Sequence, residues 1–511
     1  MDYYSRVKPL LNKLQKMNLL ENLQEIHDDL RYYFYSSNNR SLHGMSNNLV
    51  QPYIADFLIA NTLIYSNLNS KLSLRTDRIR YAVCSPLIDI HNEVSERLMK
   101  KAPATWVNSY MYNQALMQIY DDPRAMLYRY YFLYNTPLLR KYLEDKLQIS
   151  YDLYFQMTLF IHGAFYANEK MYYAKSDLYP SSLLFEYKKA LQNILDKILS
   201  RTFDEMRSLC KDYISYSDNR LFNFYSDSPH IKYPILRDDT TYYCVVPNYI
   251  LYSLTHGLYF LLDIPHCAVS LRQELASNFE DYIGHLFKHY LNQSSISYRK
   301  EFAYNRGQNK TSDWLLWNDH EIVFADCKMK TITATSRAEY EINVDTIDRI
   351  VEKCDFSRSS YSVYISSLPT GLTKDLVILG TGFGKIFVCY DDYCNNKIEG
   401  FPYQGTKDFC AYLITVDEEF ANNIEYMEQI LKVANAYRKA KSKNAIKFDI
   451  DSSQIKILSA RDIEVNILSA KEFNNIFLFG AHVEKPITDS FITDWVKEQL
   501  FKPLLQIEHS N

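Results

Sequence analysis

Apolar residues recur at three- and four-residue intervals through much of the first half of the chain, a spacing that is typical of amphipathic helices. The segments that show this pattern are residues 7–35, 124–147, 151–168 and 182–214. No fixed repeat period connects them, so the pattern does not indicate a helical repeat protein. We therefore expect a helical N-terminal region, which we assign to residues 1–240.

The pattern changes near residue 265, where one long helix is followed by short apolar segments. Over residues 271–290, Leu275, Phe279, Ile283 and Phe287 recur every four residues and predict a helix. The elements predicted after it are strands near 295–303, 311–317 and 321–329, a helix near 340–354, and strands near 361–366, 374–379 and 385–390.

This order of helix, three strands, helix and strand predicts a mixed α+β or α/β fold class for the second half of the chain. We assign residues 241–400 to this core, and residues 401–511, with a further strand and a long helix, to an α/β extension that flanks it. The glycine-rich residues 380–385 do not indicate a phosphate-binding loop, because such a loop must open a helix and residues 386–390 are predicted as a strand. We expect a hairpin turn there.

Two neighbouring predicted strands carry charged residues on one face. Asn318 and Asp319 form a turn signal between the strand that follows Asp313 and the strand that contains Asp326, so we expect a hairpin. Asp326 and Lys328 are two residues apart and therefore share a face of their strand. Two carboxylates and an ammonium group on one surface can support metal-assisted hydrolysis of a phosphodiester. The alternative is an ordinary half-buried hairpin whose charged residues are solvated.

These residues resemble the motif of the PD-(D/E)xK nuclease superfamily, whose members share the restriction-endonuclease-like fold. The resemblance extends to the preceding predicted helix, where residues 278–284 read Asn-Phe-Glu-Asp-Tyr-Ile-Gly and include Glu280. Two positions depart from the usual motif, since Ser312 stands at its proline and Asp326 at its more common glutamate. The resemblance covers residues 271–390 and implies a restriction-endonuclease-like αβββαβ core.

The resemblance also implies roles for the charged residues. Asp313 and Asp326 would ligate Mg²⁺, for which Mn²⁺ can substitute, and Glu280 would complete the metal site directly or through water. Lys328 would orient or activate the attacking water and offset negative charge. The implied substrate is DNA, because most of the superfamily cut DNA.

Basic residues cluster just before Asp313 and are candidates for binding nucleic-acid phosphates. They are Arg299, Lys300, Arg306 and Lys310. A second basic run between Lys432 and Lys447 is explained equally well by a solvated surface. His285 and His289 share a helix face, but no HExxH pattern or nearby cysteine pair accompanies them, so we do not expect zinc.

Composition narrows the classes of protein to consider. The chain has 511 residues, which is too long for a single ordinary hydrophobic core, so we expect two or three domains. Its net charge of −4 excludes a general polyanion binder. The nine cysteines are odd in number and contain no CxxC pair, and the N-terminus does not resemble a signal peptide. No uncharged apolar run reaches the roughly 18 residues of a membrane span. We therefore expect a cytoplasmic protein that does not enter a membrane.

These observations favour a metal-dependent nuclease that hydrolyses DNA phosphodiester bonds. A large helical region joined to such a nuclease is similar to effectors of bacterial defence against phage, and this step is an analogy. The helical region is a candidate surface for a homo-oligomer or a protein partner. Two alternatives remain open: a catalytically inactive nucleic-acid-binding or scaffold protein with a nuclease-like core, and a nuclease that acts on RNA.

Overall fold

The structure, a computed structural model, describes most of the 511-residue chain. The described residues are 3–35, 50, 52–101, 124–179, 185–214, 228–255, 257–261, 268–291, 296–329, 370–401, 408–416, 424–442, 445, 450, 454–464 and 494–495. The chain forms two compact units. The first consists of Met1–Tyr131, Pro137–Ala268 and Asp494–Asn511, and the second consists of Phe132–Thr136 and Val269–Thr493.

The N-terminal region is mostly helical, as the sequence predicted. Its α-helices are α1 (Tyr3–Leu14), α2 (Leu19–Tyr35), α3 (Pro52–Tyr65), α4 (Asp77–Lys101), α5 (Arg124–Tyr134), α6 (Pro137–Leu147), α7 (Tyr151–Ala167), α8 (Lys175–Leu178), α9 (Phe185–Ile194), α10 (Phe203–Tyr213), α11 (Pro229–Lys232), α12 (Asn248–Tyr252) and α13 (Leu258–Leu261). A π-helical turn, Leu195–Leu199, follows α9. In α1 the buried residues are Val7, Leu10, Leu11 and Leu14, the spacing that aligns side chains on one helix face.

A small sheet completes the described part of the first unit. Its strands are β1 (Tyr172–Ala174), β2 (Ser200–Thr202), β3 (Ile235–Arg237) and β4 (Thr241–Cys244), and their order is β1-β4-β3-β2. Strand β4 pairs antiparallel with both β1 and β3, so residues 241–244 belong to the core of this unit. None of the helices in the described ranges combines the length and hydrophobicity that crossing a bilayer requires.

A five-stranded mixed sheet organises the second unit. The elements are α14 (Ala268–Leu291), β5 (Ser297–Lys300), β6 (Ala303–Tyr304), β7 (Asn309–Lys310), β8 (Trp314–Trp317), β9 (Glu321–Lys328), α15 (Thr370–Cys394), β10 (Asp408–Thr415), α16 (Ile424–Lys441) and β11 (Ile455–Ser459). The strand order is β11-β10-β9-β8-β5, while β6 and β7 form a separate two-stranded hairpin. Strands β5, β8 and β9 are antiparallel neighbours, and β9, β10 and β11 are parallel.

The central strands β9 and β10 are covered on both faces. In β9 the buried run is Ile322–Cys327, and in β10 every residue after Asp408 is buried. A strand between two helical layers is apolar along its whole length, whereas a strand with one solvated face alternates. Asp326 lies within the buried apolar run of β9, and a carboxylate is unusual at such a position.

Two predicted strands, near 374–379 and 385–390, are wrong, because these residues lie within α15. The hairpin turn predicted for residues 380–385 is wrong for the same reason. Most of α15 is buried, so its apolar residues run almost continuously and resemble two short buried strands separated by glycines. The parallel neighbour of β9 in the sheet is β10, which lies beyond residue 400. The predicted helix near 340–354 and strand near 361–366 lie outside the described residues.

Glycines allow α15 to pack closely against α16. A Cβ atom added at Gly380 would lie 2.5 Å from the Cβ of Val433, and one added at Gly384 would lie 2.7 Å from the Cβ of Tyr437. A glycine inside a helix costs about 0.5–1 kcal/mol relative to alanine, so close packing must compensate for this loss. A buried ion pair also joins the two helices, since the guanidinium of Arg438 donates to both carboxylate oxygens of Asp391 at 2.7 and 2.9 Å.

Candidate active site

The pairing of β8 with β9 brings the two predicted metal-binding aspartates face to face. Trp314 pairs with Ala325 in this antiparallel ladder, so Asp313, one residue earlier, stands opposite Asp326. Residues directly opposite each other on antiparallel strands project to the same face, with Cβ atoms about 4.5–5.5 Å apart. Lys328, two residues after Asp326, shares that face. The predicted hairpin is therefore confirmed, and it assembles Asp313, Asp326 and Lys328 at its open end, on one face of the sheet.

The lysine ammonium lies between the two carboxylates. The Nζ atom of Lys328 is in direct contact with Oδ2 of Asp326 and is 4.0 Å from Oδ2 of Asp313. The backbone N–H of Cys327 donates a 2.7 Å hydrogen bond to Oδ2 of Asp313 and fixes that side chain. In this arrangement the lysine supplies the positive charge that the two carboxylates require.

Burial strengthens the electrostatic interactions of this group. Asp326 is only 6% exposed, and the side chains of Asp313 and Lys328 are 15% and 29% exposed. Burial, together with repulsion from Asp326, raises the pKa of Asp313 to about 7, although Lys328 and the Cys327 N–H oppose the shift. Burial alone would lower the pKa of Lys328, but attraction to Asp326 and Asp313 outweighs it and raises that pKa above its ordinary value.

Helix α14 brings Glu280 close to these three side chains. Gly284 lies against the indole of Trp314, so that a side chain at residue 284 would overlap the ring. The indole N–H of Trp314 donates to the backbone carbonyl of Glu280 at 3.3 Å, which fixes the helix beside β8. Burial raises the pKa of Glu280, while Lys328 and Lys300 act in the opposite direction, so its half-buried carboxyl group lies within electrostatic reach of both lysines.

The four predicted nucleic-acid-binding residues have different surroundings. Lys300 forms a 2.6 Å ion pair with Asp281, and Lys310 forms a 2.7 Å ion pair with Glu301. The guanidinium of Arg299 stacks on the Phe302 ring at 3.7 Å from its centroid and donates to the carbonyl of Gly400. Arg306 is exposed at the tip of the β6–β7 hairpin. There it has a positive φ of 54°, and Asn305 and Gly307 beside it also have positive φ values.

Glu301 is a residue at this site that the sequence analysis did not select. Its backbone N–H donates a 2.8 Å hydrogen bond to the carbonyl of Asp313, and its carboxylate holds Lys310. Its charge also raises the pKa of Glu280. The available signal was an acid inside the basic run of residues 299–310, because a carboxylate among exposed lysines and arginines can form ion pairs with them.

The carboxylate oxygens of Asp313 and Asp326 suit magnesium better than zinc. Within the described ranges, no three or more His, Cys, Asp and Glu side chains are grouped so as to hold a metal ion, so Glu280 does not join the two aspartates in such a group. Mg²⁺ commonly uses one or two protein carboxylates and completes its shell with water and substrate phosphate oxygens. Asp313 and Asp326 fit that pattern, and they lack the nitrogen and sulfur ligands that zinc prefers.

His285 and His289, which share a face of α14, have separate surroundings. The ring of His285 stacks on Phe132 with centroids 5.9 Å apart, and His289 is exposed.

In the second basic run, Arg438 is not a solvated surface residue, because its guanidinium forms a buried ion pair with Asp391.

Comparisons of the chain with protein-family models, with curated proteins and with solved structures find no match.

Proposed function

We propose that this protein is a metal-dependent nuclease that hydrolyses DNA phosphodiester bonds. The observation that carries the proposal is the position of Asp313 directly opposite Asp326, with the Lys328 ammonium between their carboxylates. The order α14, β5, β8, β9, α15 and β10 among the described elements supports the restriction-endonuclease-like core that the sequence resemblance implies.

The side chains have separate roles in this proposal. Asp313 and Asp326 would hold Mg²⁺ or Mn²⁺, which lowers the pKa of a bound water and stabilises charge on the scissile phosphate. The Cys327 N–H keeps the Asp313 carboxylate in place. Lys328 carries a permanent charge at neutral pH, so it orients the attacking water by hydrogen bonding and offsets negative charge on the phosphate. Glu280 acts from helix α14, either through Lys328 or through water.

DNA is the substrate that we favour, because most members of the superfamily that the motif resembles cut DNA. The chain has a net charge of −4, so contact with a polyanion depends on local basic groups near the site. Arg306 is exposed there, and Lys310 is 72% exposed despite its ion pair with Glu301. A role in bacterial defence, with the helical N-terminal region binding a partner or a second copy, extends the proposal by analogy.

A cleavage assay on the full chain tests the proposal. Supercoiled plasmid, linear duplex, single-stranded DNA and RNA are incubated with Mg²⁺, with Mn²⁺ or with a chelator. We expect metal-dependent cleavage of DNA that is abolished in Asp326→Asn. The matched control is Asp319→Asn, which changes an exposed aspartate at the opposite end of the same hairpin. Cleavage that persists in Asp326→Asn or in the chelator would contradict the proposal.

One observation favours the alternative of a nucleic-acid-binding protein without catalytic activity. The Lys328 ammonium already contacts Oδ2 of Asp326, and this ion pair competes with a metal ion for the same carboxylate. This alternative predicts that the protein binds DNA but cleaves it with neither Mg²⁺ nor Mn²⁺. It also predicts that Asp326→Asn binds DNA as tightly as the wild type does.

A further inference from the structure

Three glycines lie within five residues of helix α15, and they face two different partners. Gly380 and Gly384 are four residues apart, share one helix face and pack against α16. Gly382 is rotated by about 200° from each of them and faces the sheet. The close packing of α15 on α16 therefore explains Gly380 and Gly384 and leaves Gly382 without an explanation.

Gly382 lies directly over the candidate active site. A Cβ atom added there would be 3.5 Å from Cε of Lys328 and 3.6 Å from Oδ2 of Asp326. It would also be 3.0 Å from Cδ1 of Leu413, a flexible side-chain end that needs to move by only a few tenths of an ångström. An alanine therefore fits this position with the side chains as they stand, although its methyl group fills the space that Gly382 leaves beside Lys328.

That space matters because a metal ion and the ammonium require the same carboxylates. The ammonium contacts Oδ2 of Asp326 and lies 4.0 Å from Oδ2 of Asp313. A divalent cation held by both aspartates would repel a positive charge at this distance strongly in a partly buried site. The ammonium must therefore move off Asp326 when the cation binds, and its Cε atom must move with it.

We propose that Gly382 keeps open the space through which the Lys328 side chain moves when a divalent cation displaces its ammonium from Asp326. Gly382 is thus a positioning residue, acting through Lys328 and not on the substrate. This inference rests on the metal site of the proposed function. It adds that the Lys328 ammonium competes with the divalent cation for Asp326 and that α15 permits the exchange.

Mn²⁺ binding to the full chain without DNA, measured by calorimetry beside the melting temperature, tests the inference. Gly382→Ala should melt at an equal or higher temperature, because alanine favours helix, yet its Kd for Mn²⁺ should rise about tenfold, which corresponds to about 1.4 kcal/mol. The control is Gly163→Ala in α7, where an added Cβ meets nothing within 4 Å. That variant should melt at an equal or higher temperature with an unchanged Kd.

Removing the ammonium provides an independent measurement that does not depend on how Gly382→Ala folds. Lys328→Met should bind Mn²⁺ more tightly than the wild type, because the competing charge is gone. In the Lys328→Met background, Gly382→Ala should have no further effect on the Kd. If Lys328→Met binds Mn²⁺ no more tightly, or if Gly382→Ala weakens binding equally in both backgrounds, the exchange does not occur as proposed.

The proposed function and this inference fail in different ways. A wild-type protein that binds no Mn²⁺ overturns the metal site and the inference together. A wild-type protein that binds Mn²⁺, with a Gly382→Ala variant of equal affinity, overturns only the inference about Gly382.

Discussion

Asp313 is a carboxyl group whose surroundings favour its neutral form when no metal is bound. Its pKa rises from 3.8 to about 7 because it is buried and faces Asp326. Between these values the folded protein binds more protons than the unfolded chain, so the contribution of this group to stability falls as the pH rises. The same carboxylate pair that would attract a divalent cation therefore destabilises the metal-free fold at neutral pH.

Asp313→Asn should remove this pH dependence. Wild-type protein without metal should lose more stability between pH 4 and pH 7 than the variant does, by up to a few kcal/mol at about 1.4 kcal/mol for each pKa unit. Urea unfolding at pH 4.5 and pH 7.5 in the presence of a chelator measures this difference. Parallel pH profiles for the two proteins would show that Asp313 is not perturbed by its neighbours.

Glu280 differs from the two aspartates because it reaches the site from a helix. Burial raises its pKa, so the charged form is disfavoured, although Lys328 and Lys300 reduce the effect. Glu280→Gln keeps the shape and removes the charge. It should slow cleavage and raise the Mg²⁺ concentration required, while stability without metal stays equal or increases slightly. If cleavage measured against Mg²⁺ concentration is unaltered, Glu280 is an ordinary surface residue and the site reduces to Asp313, Asp326 and Lys328.

At the scale of secondary-structure elements, close contact between α14 and β8 positions Glu280. The contact depends on Gly284, since any side chain there would overlap the indole of Trp314. Phe287, on the next turn, packs edge-on against the same indole at a centroid distance of 5.7 Å. The helix therefore cannot accommodate a larger residue at this position without moving away from the sheet.

Gly284→Ala should destabilise the protein by about 1–3 kcal/mol, the usual range for overpacking a core. Because it moves the helix that carries Glu280, it should also reduce cleavage. Urea unfolding of this variant beside Gly163→Ala separates crowding from helix propensity. A Gly284→Ala variant as stable as Gly163→Ala would contradict the tight contact with Trp314.

Local sequence signals predicted helix α14 and the hairpin of β8 and β9 for different reasons. The apolar residues of α14 recur at helical spacing, whereas the hairpin was marked by the turn signal Asn318–Asp319 between two short apolar runs, and the two-residue spacing of Asp326 and Lys328 assigned them to one face. Helix α15 was predicted wrongly because it is buried between β9, β10 and α16, and an apolar run without periodicity does not distinguish helix from strand. The pairing of β10 with β9 was equally hidden, since the partner of a parallel strand is not encoded locally.

For the whole molecule, charge limits how DNA, the proposed substrate, could be held. Because the net charge is −4, such binding would depend on a small number of phosphate contacts. Acids pair with two of the four predicted basic residues, Lys300 and Lys310, so less positive charge is available than the sequence suggested. Arg306 projects at the tip of a hairpin whose Tyr304 hydroxyl donates a 2.8 Å hydrogen bond to Asp392 on α15.

Arg306→Ala should weaken duplex DNA binding to a similar extent for all sequences. It should also reduce the slope of log affinity against log salt concentration by about 1, the value for one lost phosphate contact. The matched control is Lys8→Ala, which removes an exposed positive charge from α1. Fluorescence anisotropy across a salt series, with Ca²⁺ in place of Mg²⁺, provides the measurement. Equal slopes for Arg306→Ala and the wild type would exclude Arg306 from the DNA-binding surface.

Anomalous scattering from crystals of the full chain grown with Mn²⁺ tests whether Asp313 and Asp326 together bind a divalent cation. We expect one anomalous peak within about 2.0–2.6 Å of a carboxylate oxygen from each aspartate, with the Lys328 ammonium no longer in contact with Asp326. If crystals grown at a Mn²⁺ concentration that supports cleavage have no peak there, and Lys328 still contacts Asp326, the two aspartates do not form a metal site.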